Sequence, residues 1–533
     1  MRRPAMIRRM PQNVSQSVSL PAPIGGWNAR DVLSEMDPTD APILDNWFPA
    51  TSSVVCRNGY TQWATGITGH VETLLVYNGG STSKMFAMAG TSIYDVTSTN
   101  GGAVGASIFT STNAKWYYTN VATPGGNYLY AVNGVDKPRL YDGTTWQAVD
   151  AVSAPISITG VTTTTLAYVT LFKNRLWFIQ SGTLKAWYLP TQAVGGLAQS
   201  VDLSAVAQLG GELWAMGTWT IDAGYGVDDL LVFVTTKGEV IVYRGTDPAS
   251  IATWSLVGVW QLGYPVSGTR KVFMKFAGDL LLICQDGVLP LSGALQSSRV
   301  QPQVALSYKI QWAVSESISS YYANFGWQFY YYASENQLWL NVPVTGTSAA
   351  SVPTVNQYVM NTVTKNWCSY SGMNFNCIET FNNTPYGGGY GYVAALWQDN
   401  TDNPTTSTQT GITCNAVQAF NYFDERGLQK RFTMIRPVTY SNGNPSIAGS
   451  MNIDFDLTDN SAGLSTNPPA GSTWDSGIWD QSQWGSGLLT MSRYWQSVTG
   501  VGIAGAVRLK AQPKGVSLRW VATDVVFEKG GIL

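Results

Sequence analysis

The single histidine restricts the enzyme chemistry open to this chain. His70 is the only imidazole among 533 residues, and it stands between Gly69 and a segment typical of a strand. Histidine-based metal sites need several imidazoles, and a Ser-His-Asp arrangement would depend on this one residue. A carboxylate pair could serve glycoside hydrolysis, but no group of acidic residues stands out. We therefore predict no catalytic residues and a chain that is not an enzyme.

Cysteines offer no better prospect of a reactive or metal-binding site. The chain has five, widely scattered, at Cys56, Cys284, Cys368, Cys377 and Cys414. Their number is odd and no CxxC pair occurs, so the spacing predicts neither a zinc site nor a disulfide framework. No P-loop and no strand–GxGxxG–helix unit is present. We expect no metal, no cofactor, and a reducing compartment during assembly.

Two short segments have a superficial likeness to functional motifs. DGTTW (142–146) is similar to the S-x-D-x-G-x-T-W box of sialidase blades, but Gly143 follows Asp142 directly and the box does not recur in the chain. GGGYGYV (387–393) is rich in glycine, but no helix follows it to bind a phosphate. We interpret the first as a turn with a packed tryptophan and the second as a flexible aromatic loop.

Charged side chains are scarce and aromatic side chains are abundant. Asp, Glu, Lys and Arg make up 12% of the residues, whereas the chain has 21 Trp, 27 Tyr and 54 Gly. Hydrophobic residues reach 44%, enough for a large core. A surface this poor in charge is typical of proteins that bury it between subunits, which favours an oligomer. The net charge of −2 gives no reason to expect tight binding to nucleic-acid phosphates.

The N-terminus begins with a small basic arm that contains Arg2, Arg3, Arg8 and Arg9. Either the arm is a frayed, solvated terminus, or it becomes ordered against an acidic neighbour. No apolar segment of the kind found in secretory signals follows it. No apolar run approaches the roughly 18 residues of a membrane helix. We expect a soluble protein, made in a cytoplasm, with no membrane segment.

Short segments rich in β-branched and aromatic residues recur along the chain, separated by Gly, Asn, Asp and Pro, and predict an all-β fold. Tyr94, Tyr141, Tyr188 and Tyr243 recur at intervals of 47 to 55 residues. Such a period is typical of propeller blades, which must stack around an axis to bury both faces. We predict a β-propeller of about six to seven blades; the alternative is a series of hairpins in a β-sandwich. Five hairpins are clear, at 84–96, 128–143, 175–190, 231–245 and 280–293.

The repeat occupies only the middle of the chain. A polar segment rich in Pro and Thr, DNTDNPTTSTQTG, follows it and predicts a linker. Strand-like segments resume beyond the linker and suggest a separate β domain. The predicted organisation is an N-terminal arm and anchoring segment at 1–67, the propeller at 68–398, the linker at 399–411 and a C-terminal β domain at 412–533.

Residues 20–60 carry the most distinctive local pattern. Gly25 and Gly26 permit a turn that other residues would strain. Asp37 and Pro38 can initiate a second turn or cap a short helix. The segment needs a partner surface because it contains a compact apolar cluster, formed by Ile43, Leu44, Trp47 and Phe48.

This segment resembles the opening of the tail nozzle proteins of short-tailed bacteriophages, also called tail tubular protein B or tail hub proteins. The likeness lies in three motifs: P-x-G-G-W-N-x-R-D, then M-D-P-x-D-A-P-x-L-D-N-W-F-P, then R-N-G-Y. The matching residues are Pro23, Gly25, Gly26, Trp27, Asn28, Arg30, Asp31, Met36, Asp40, Ala41, Leu44, Asn46, Trp47, Phe48, Pro49, Arg57, Gly59 and Tyr60.

The resemblance implies a structural virion protein. It implies a homohexameric ring below the head-to-tail adaptor protein, assembled in the host cytoplasm, which conducts the genomic DNA during ejection without sequence-specific binding and docks tail fibre or spike proteins. The alternatives are a glycan-binding or glycan-cleaving propeller of a tail spike and a cellular propeller scaffold. Candidate interface residues in the motif are Gly25, Gly26, Trp27, Asn28, Ile43, Leu44, Asn46, Trp47 and Phe48.

A second group of interface candidates lies near the C-terminus. Trp474, Trp479 and Trp484 are spaced five residues apart. An odd interval cannot place three rings on one face of a strand, and an interval of five does not place them on one stripe of a helix. We predict a loop or turn series in which each ring fills a separate pocket. The pockets belong either to a neighbouring subunit or to the C-terminal domain itself.

Overall fold

The computed structural model describes residues 15–222, 227–295, 302–346, 352–405, 408–461, 464 and 490–532. The chain forms two compact units. No helix among the described residues is long and apolar enough to cross a membrane. The first unit comprises Met1–Arg57, Asn366–Ser369 and Thr410–Leu533, and the second comprises Asn58–Lys365 and Tyr370–Gln409.

The second unit is a β-propeller whose described residues form seven successive blades. Within each blade, consecutive strands pair antiparallel through short turns, as the alternation of strand and turn residues predicts. The strands of the first four blades are Val71–Asn78, Ser83–Ala89 and Ser92–Asp95 in blade 1; Tyr117–Thr123, Gly126–Val132, Arg139–Tyr141 and Trp146–Ala148 in blade 2; Leu166–Phe172, Arg175–Gln180, Lys185–Tyr188 and Gln199–Asp202 in blade 3; and Leu213–Asp222, Val227–Thr235, Glu239–Gly245 and Trp254–Gln261 in blade 4.

Blades 5 to 7 are less regular, and the described helices lie mostly between them. The strands are Phe273–Phe276, Asp279–Cys284 and Gly287–Pro290 in blade 5; Gln328–Tyr332, Gln337–Pro343 and Val355–Asn361 in blade 6; and Cys377–Phe381, Thr384–Gly388 and Val393–Leu396 in blade 7. The helices are the α-helices Leu291–Ala294 and Gln311–Tyr321 and the 3-10 turns Thr163–Thr165, Pro302–Val304, Tyr308–Ile310 and Ala333–Glu335. A short parallel pair joins Ile158–Thr159 to Gly196–Leu197.

The ring closes between blade 7 and blade 1. The first strand of blade 7, Cys377–Phe381, packs against the first strand of blade 1, Val71–Asn78. The strand Tyr60–Ala64, which precedes blade 1 in sequence, pairs antiparallel with Val393–Leu396 and completes blade 7. The last blade is therefore built from both ends of the unit, which prevents it from separating from the first blade without breaking a sheet.

The predicted repeat is confirmed in detail. The five clear hairpins are the second and third strands of blades 1 to 5. Tyr94, Tyr141, Tyr188 and Tyr243 all lie in the third strand of their blade and are buried, with at most 9% of each residue exposed. The period in the sequence therefore reflects one packing position that recurs from blade to blade.

The first unit contains two sheets that pack face to face. Their shared core includes Phe432 and Phe527 from one sheet and Met451 and Val507 from the other. One sheet is formed by Gln16–Pro21, Trp47–Pro49, Val54–Cys56, Leu428–Ser441, Thr490–Ser492, Gln496–Gly502 and Leu518–Ile532. The other is formed in this unit by Ile43–Asp45, Trp367–Tyr370, Cys414–Val417, Ser446–Ile453 and Gly505–Gln512, and a parallel pair joins Gly26–Trp27 to Asp40–Ala41.

The N-terminal segment and the C-terminal domain are parts of one unit rather than separate domains. Gln16–Pro21 pairs with the last strand of the chain, and Ile43–Asp45 pairs with Cys414–Val417. The predicted boundaries at 67 and 412 are corrected to Arg57 and Thr410. Edge strands leave backbone groups unpaired, and the N-terminal strands satisfy those of the C-terminal sheets.

The predicted linker at 399–411 is not a linker. It contains the strands Asp402–Thr405 and Thr408–Thr410, which belong to the sheet of blade 7. Asp402–Thr405 runs parallel to Tyr60–Ala64, which we call the closing strand, with Asp402 opposite Tyr60. Polar composition predicted a loop here, but the open edge of the closing strand needed hydrogen-bond partners.

Gly59, immediately before the closing strand, provides a test of this closure. A Cβ atom at position 59 would lie 1.8 Å from the carbonyl oxygen of Thr401, so the backbones approach too closely for any side chain. We predict that Gly59→Ala destabilises the propeller by about 1–3 kcal/mol, because the strands must separate. Differential scanning calorimetry of the full chain measures the loss. Gly105→Ala is the matched control, since its Cβ meets nothing within 4 Å; equal effects of both variants would contradict the prediction.

Candidate functional site

The two glycines of the N-terminal motif are required by close approach of the chain to itself. A Cβ atom on Gly25 would lie 2.2 Å from the Asp40 carboxylate. Gly26 has φ +83°, in the left-handed region, and its Cβ would lie 2.7 Å from the Trp367 carbonyl oxygen. Next to it, Trp27 pairs with Ala41 in a short parallel bridge. The glycines therefore shape the first unit.

Asn28 holds the loop that follows. Its Nδ2 group donates to carboxylate oxygens of Asp31 and Asp40, each at 2.8 Å, and its Oδ1 accepts the backbone N–H groups of Arg30 and Asp31 at 3.1 and 3.0 Å. Arg30 makes two further hydrogen bonds to Asp31, at 2.6 and 2.8 Å. Asn28 and Asp40 are buried. The polar residues of this part of the motif thus bind one another.

Asn46 and Arg57 form a second buried polar contact. Asn46 has φ +59°, a conformation that Asn tolerates better than most residues. Its backbone N–H donates to Ser369 at 2.8 Å, its Nδ2 donates to the Thr413 carbonyl at 2.8 Å, and its Oδ1 accepts the Arg57 Nε at 2.7 Å. One residue, through its backbone and its side chain, therefore joins three separate stretches of the first unit.

The apolar cluster of the motif already has its partner surface within the chain. Leu44, Trp47 and Phe48 are buried, and Ile43 is partly buried. The Trp47 ring lies 5.9 Å from the ring of Trp520, in the last strand of the same unit. The cluster therefore forms the core between N-terminal and C-terminal strands of this chain, as expected of an anchoring segment packed on its body, and its role in contacts between subunits stays a prediction.

Two predicted features cannot be located in the structure. Trp474, Trp479 and Trp484 lie outside the described residues, and so do the four arginines of the N-terminal arm. For the three tryptophans, contact with a neighbouring subunit and packing inside the C-terminal domain both stay predictions.

The histidine and the two short motifs that were considered for chemistry lie among packed side chains, turns and strands of the propeller. His70 is 7% exposed, and its ring lies 4.7 Å from that of Tyr390. Asp142 accepts hydrogen bonds from the backbone N–H groups of Thr144 and Thr145 at 2.8 and 2.7 Å, so DGTTW is the turn that the sequence predicted. The interpretation of GGGYGYV as a flexible loop is wrong at its ends: Gly387 pairs with Ala394 in blade 7.

The innermost strands of the propeller surround a polar cavity of about 320 Å³. Its walls come from blades 1, 2, 5, 6 and 7. Lys271 and Glu379 form an ion pair at 2.9 Å within it, and the Lys271 ammonium lies 5.8 Å from the centre of the Tyr118 ring. The Tyr330 hydroxyl is 2.8 Å from that of Thr380. A cavity of this size fits one small molecule.

Electrostatics keep this cavity neutral overall. Burial lowers the pKa of Lys271, but the Glu379 carboxylate outweighs that effect, so the pKa is raised above the usual 10.5. Burial, followed by the charge of Glu379, raises the pKa of Tyr118 well above 10.0. Lys271 therefore stays charged and Tyr118 stays protonated at neutral pH. No group of three or more metal-ligating side chains occurs in the described ranges.

No sequence pattern indicated that Cys56 and Cys414 meet. Their sulfur atoms are 2.6 Å apart in the first unit, although 358 residues separate them. All five cysteines are buried free thiols. Burial, then the neighbouring Cys56, raises the pKa of Cys414 well above 9.0, so this thiol is a poor nucleophile.

Replacing Trp47 should lower the stability of the fold and not only impair assembly. Trp47→Ala removes a fully buried ring, and we expect a loss of about 3–5 kcal/mol in the stability of the first unit. Thermal unfolding of the purified chain, followed by circular dichroism, measures this. Trp312→Ala is the control, because Trp312 is 68% exposed and should change stability by less than about 0.5 kcal/mol. A Trp47 variant that is as stable as the parent but fails to assemble would restore the interface interpretation.

The buried tyrosines and Lys271 predict instability at high pH. Folding raises the pKa of Tyr118, Tyr130 and Lys271, so it favours their protonated forms. Their contribution to stability is complete below pH 10 and is lost as the pH rises through the folded-state pKa values. A spectrophotometric titration should show exposed tyrosines ionising first and buried ones ionising only with unfolding. Complete ionisation of all tyrosines in a folded chain would contradict this, and Tyr130→Phe should reduce only the late phase.

Comparison with known proteins supports no family assignment. No protein-family model and no curated protein matches the chain. Among solved structures, the chain is similar to BBS1N from a complex with ARL6DN (8% identity, 64% of this chain and 98% of that chain, TM-score 0.33). It is similar to the Cps50 (Swd1) β-propeller domain of Myceliophteria thermophila (13%, 63% and 99%, 0.38) and to YCF48 bound to D1 peptide (11%, 70% and 97%, 0.33). These likenesses are too weak to carry a function.

Proposed function

We propose that this chain is the subunit of a tail nozzle of a short-tailed bacteriophage. In this proposal six copies form a ring below the head-to-tail adaptor, the genome leaves through the ring, and tail fibres or spikes dock on it. The observation that carries the proposal is the N-terminal motif, from Pro23 to Tyr60, which resembles the opening of that family.

The role of the motif in folding supports this use of it. Gly25, Asn28, Asn46 and Trp47 each make a contact on which the first unit depends. Likeness at such positions implies likeness in the fold of that unit, because the contacts specify how the N-terminal strands join the C-terminal sheets. Likeness at exposed positions would carry less information about the fold.

A nozzle must let DNA slide, so its channel should not hold phosphates. The chain has 31 Lys and Arg against 33 Asp and Glu, and several half-exposed cations already have carboxylate partners. A cation that is paired with a carboxylate binds DNA phosphates less readily. Tight contacts with phosphates would slow the sliding of DNA through the channel. The cavity that contains Lys271 and Glu379 has a volume of about 320 Å³, which suits a small molecule and not a DNA duplex. In this proposal the DNA channel therefore lies between subunits. The pairs are Lys84–Asp95, Lys137–Asp150, Lys173–Asp229, Arg175–Asp247 and Arg436–Asp524.

An exposed apolar patch on the first unit supports assembly into a ring. We call it the outer-strand patch; it lies on and beside Leu428–Ser441 and the two strands paired with it, Thr490–Ser492 and Gln496–Gly502. Several exposed apolar side chains on neighbouring strands are typical of subunit interfaces. The patch consists of Met434, Met491, Tyr494, Trp495 and Val501, which are 38–80% exposed.

A pair of matched valines tests the patch. Val501 in the patch and Val152 in a propeller loop are 59% and 88% exposed. We predict that Val501→Asp dissociates the ring, because it introduces a charge into an apolar interface, and that Val152→Asp leaves it intact. Mass photometry of the purified chain and of assembled tails gives the copy number. Equal copy numbers for both variants would remove the patch from the interface.

The particle itself tests the proposal as a whole. Imaging of purified tails should show six copies directly below the adaptor, with Asp, Glu, Asn, Gln, Ser and Thr facing the channel. A stable monomer or trimer in the virion, or a continuous basic stripe along the channel, would overturn the nozzle. Incubation with bacterial surface polysaccharide should release no sugar fragments; release of oligosaccharides would favour the alternative, a glycan-cleaving propeller of a tail spike.

A further inference from the structure

A second cavity of the propeller, between blades 1 and 2, has the features of a binding site. Its volume is about 610 Å³, within the usual range for small-ligand sites. We call it the blade 1–2 groove. Its walls come from the second and third strands of blade 1, the segment that leads to blade 2, and the third strand and following turn of blade 2.

Four aromatic rings form a continuous wall of this groove. Trp146 lies 5.1 Å from Phe86, 5.5 Å from Phe109 and 5.1 Å from Tyr141, measured between ring centroids. Phe86 also meets Tyr141 edge to face at 5.0 Å. Rings that contact one another in this way are held rigidly, so they present a preorganised apolar surface.

Arg139 brings to this wall a positive charge that attracts the Asp136 carboxylate but is not hydrogen-bonded to it. Its guanidinium lies over the Phe109 ring, 4.2 Å from the centroid, and its Nε atom is buried without a hydrogen-bond acceptor. The nearby Asp136 carboxylate instead accepts hydrogen bonds from Thr112 and Asn133, at 2.7 Å. A half-buried cation without a bonded anion is unfavourable, and an anionic ligand would relieve this.

The net charge of the groove distinguishes among anions. Besides Arg139, the charged residues that line it are Lys84 and Asp95, which pair with each other at 3.1 Å. Among the lining residues Arg139 is therefore the cation without a bonded carboxylate; a single guanidinium can pair with one carboxylate but cannot neutralise a chain of phosphates. Charge complementarity favours a singly charged group attached to an apolar or amphipathic body.

Hydroxyl groups lie at the rim. Thr144 and Thr145 line the groove, held by the turn in which Asp142 accepts their backbone N–H groups. Gly143, at the tip of this turn, has φ +97°, and a Cβ there would meet the Tyr77 hydroxyl at 2.7 Å, so the turn is fixed against blade 1. Hydroxyl groups beside an aromatic wall can bond the hydroxyls of a sugar whose C–H face packs on the rings.

We propose that the blade 1–2 groove binds an acidic saccharide. The carboxylate of a uronate-type sugar pairs with Arg139, its ring packs against Trp146, and its hydroxyls bond Thr144 and Thr145. Binding involves no bond cleavage. The inference goes beyond the nozzle function and does not depend on it, since a purified chain suffices to test it.

Calorimetric titration of the full chain with a hyaluronan tetrasaccharide tests the proposal. We expect a dissociation constant of about 1 mM or tighter. Chitotriose, an uncharged sugar, should bind at least tenfold more weakly. Absence of binding by the tetrasaccharide, or equal binding of chitotriose, would overturn the proposal. Tighter binding of deca-thymidylate or of tetraglutamate would overturn it in favour of a nucleic-acid or a peptide site.

Variants assign the binding to the groove. Arg139→Gln should weaken tetrasaccharide binding at least tenfold, and Trp146→Ala should weaken it similarly. Lys137→Gln makes the same change of charge outside the groove and should leave binding unchanged; Lys137 pairs with Asp150. Thermal unfolding verifies that each variant is folded. Should Trp146→Ala fail to fold, Thr144→Val replaces it, with an expected loss of threefold or more. Equal binding by Arg139→Gln and the parent would overturn the assignment.

Discussion

Ring closure is the constraint on which the propeller depends. A single blade cannot bury both faces of its sheet, so each blade is stable only between two neighbours. Blade 7 must therefore meet blade 1, and the chain achieves this with Tyr60–Ala64, a strand that precedes blade 1 and pairs with the last blade. Gly59 allows the required approach to Thr401, and Asp402–Thr405 then satisfies the free edge of the closing strand.

The first unit is likewise organised by strand edges that need hydrogen-bond partners. Its two longest strands, Leu428–Ser441 and Leu518–Ile532, pair with each other and leave edges that need partners. The N-terminal segment supplies them, and Trp47 packs on Trp520 where the two ends of the chain meet. One stretch of about forty residues therefore serves both units: up to Arg57 it belongs to the first, and from Asn58 it belongs to the second.

Two lysines of the described ranges have bonded partners of a kind that Arg139 lacks. Lys271 lies in the axial cavity with Glu379, and its ion pair leaves that cavity neutral. Lys430, which is fully buried, donates to three backbone carbonyl oxygens, those of Glu425, Leu428 and Ile503. Arg139 has neither a bonded carboxylate nor a carbonyl, and it is this difference that singles out the blade 1–2 groove.

The all-β class and the repeat could be predicted from the sequence alone. Strand period and turn residues are local properties, and Tyr94, Tyr141, Tyr188 and Tyr243 record one buried position in four blades. The sequence also identified the N-terminal motif, but it left open whether the apolar cluster packs on the body of the chain or on another subunit. The five clear hairpins were recognised because each lies within about sixteen consecutive residues.

The pairing partners of the two ends of the chain became known from the three-dimensional fold and could not be predicted. Three of these contacts join residues that lie hundreds of positions apart. They are the contact between the Cys56 and Cys414 thiols, the packing of Trp47 on Trp520, and the strands formed by the supposed linker. Such contacts leave no periodic signal, because the pairing of an edge strand depends on which other edge is open once the sheets have formed. The groove around Arg139 could not be predicted for the same reason. Its wall is assembled from two blades, and only the folded chain shows that no carboxylate among the described residues is hydrogen-bonded to the guanidinium.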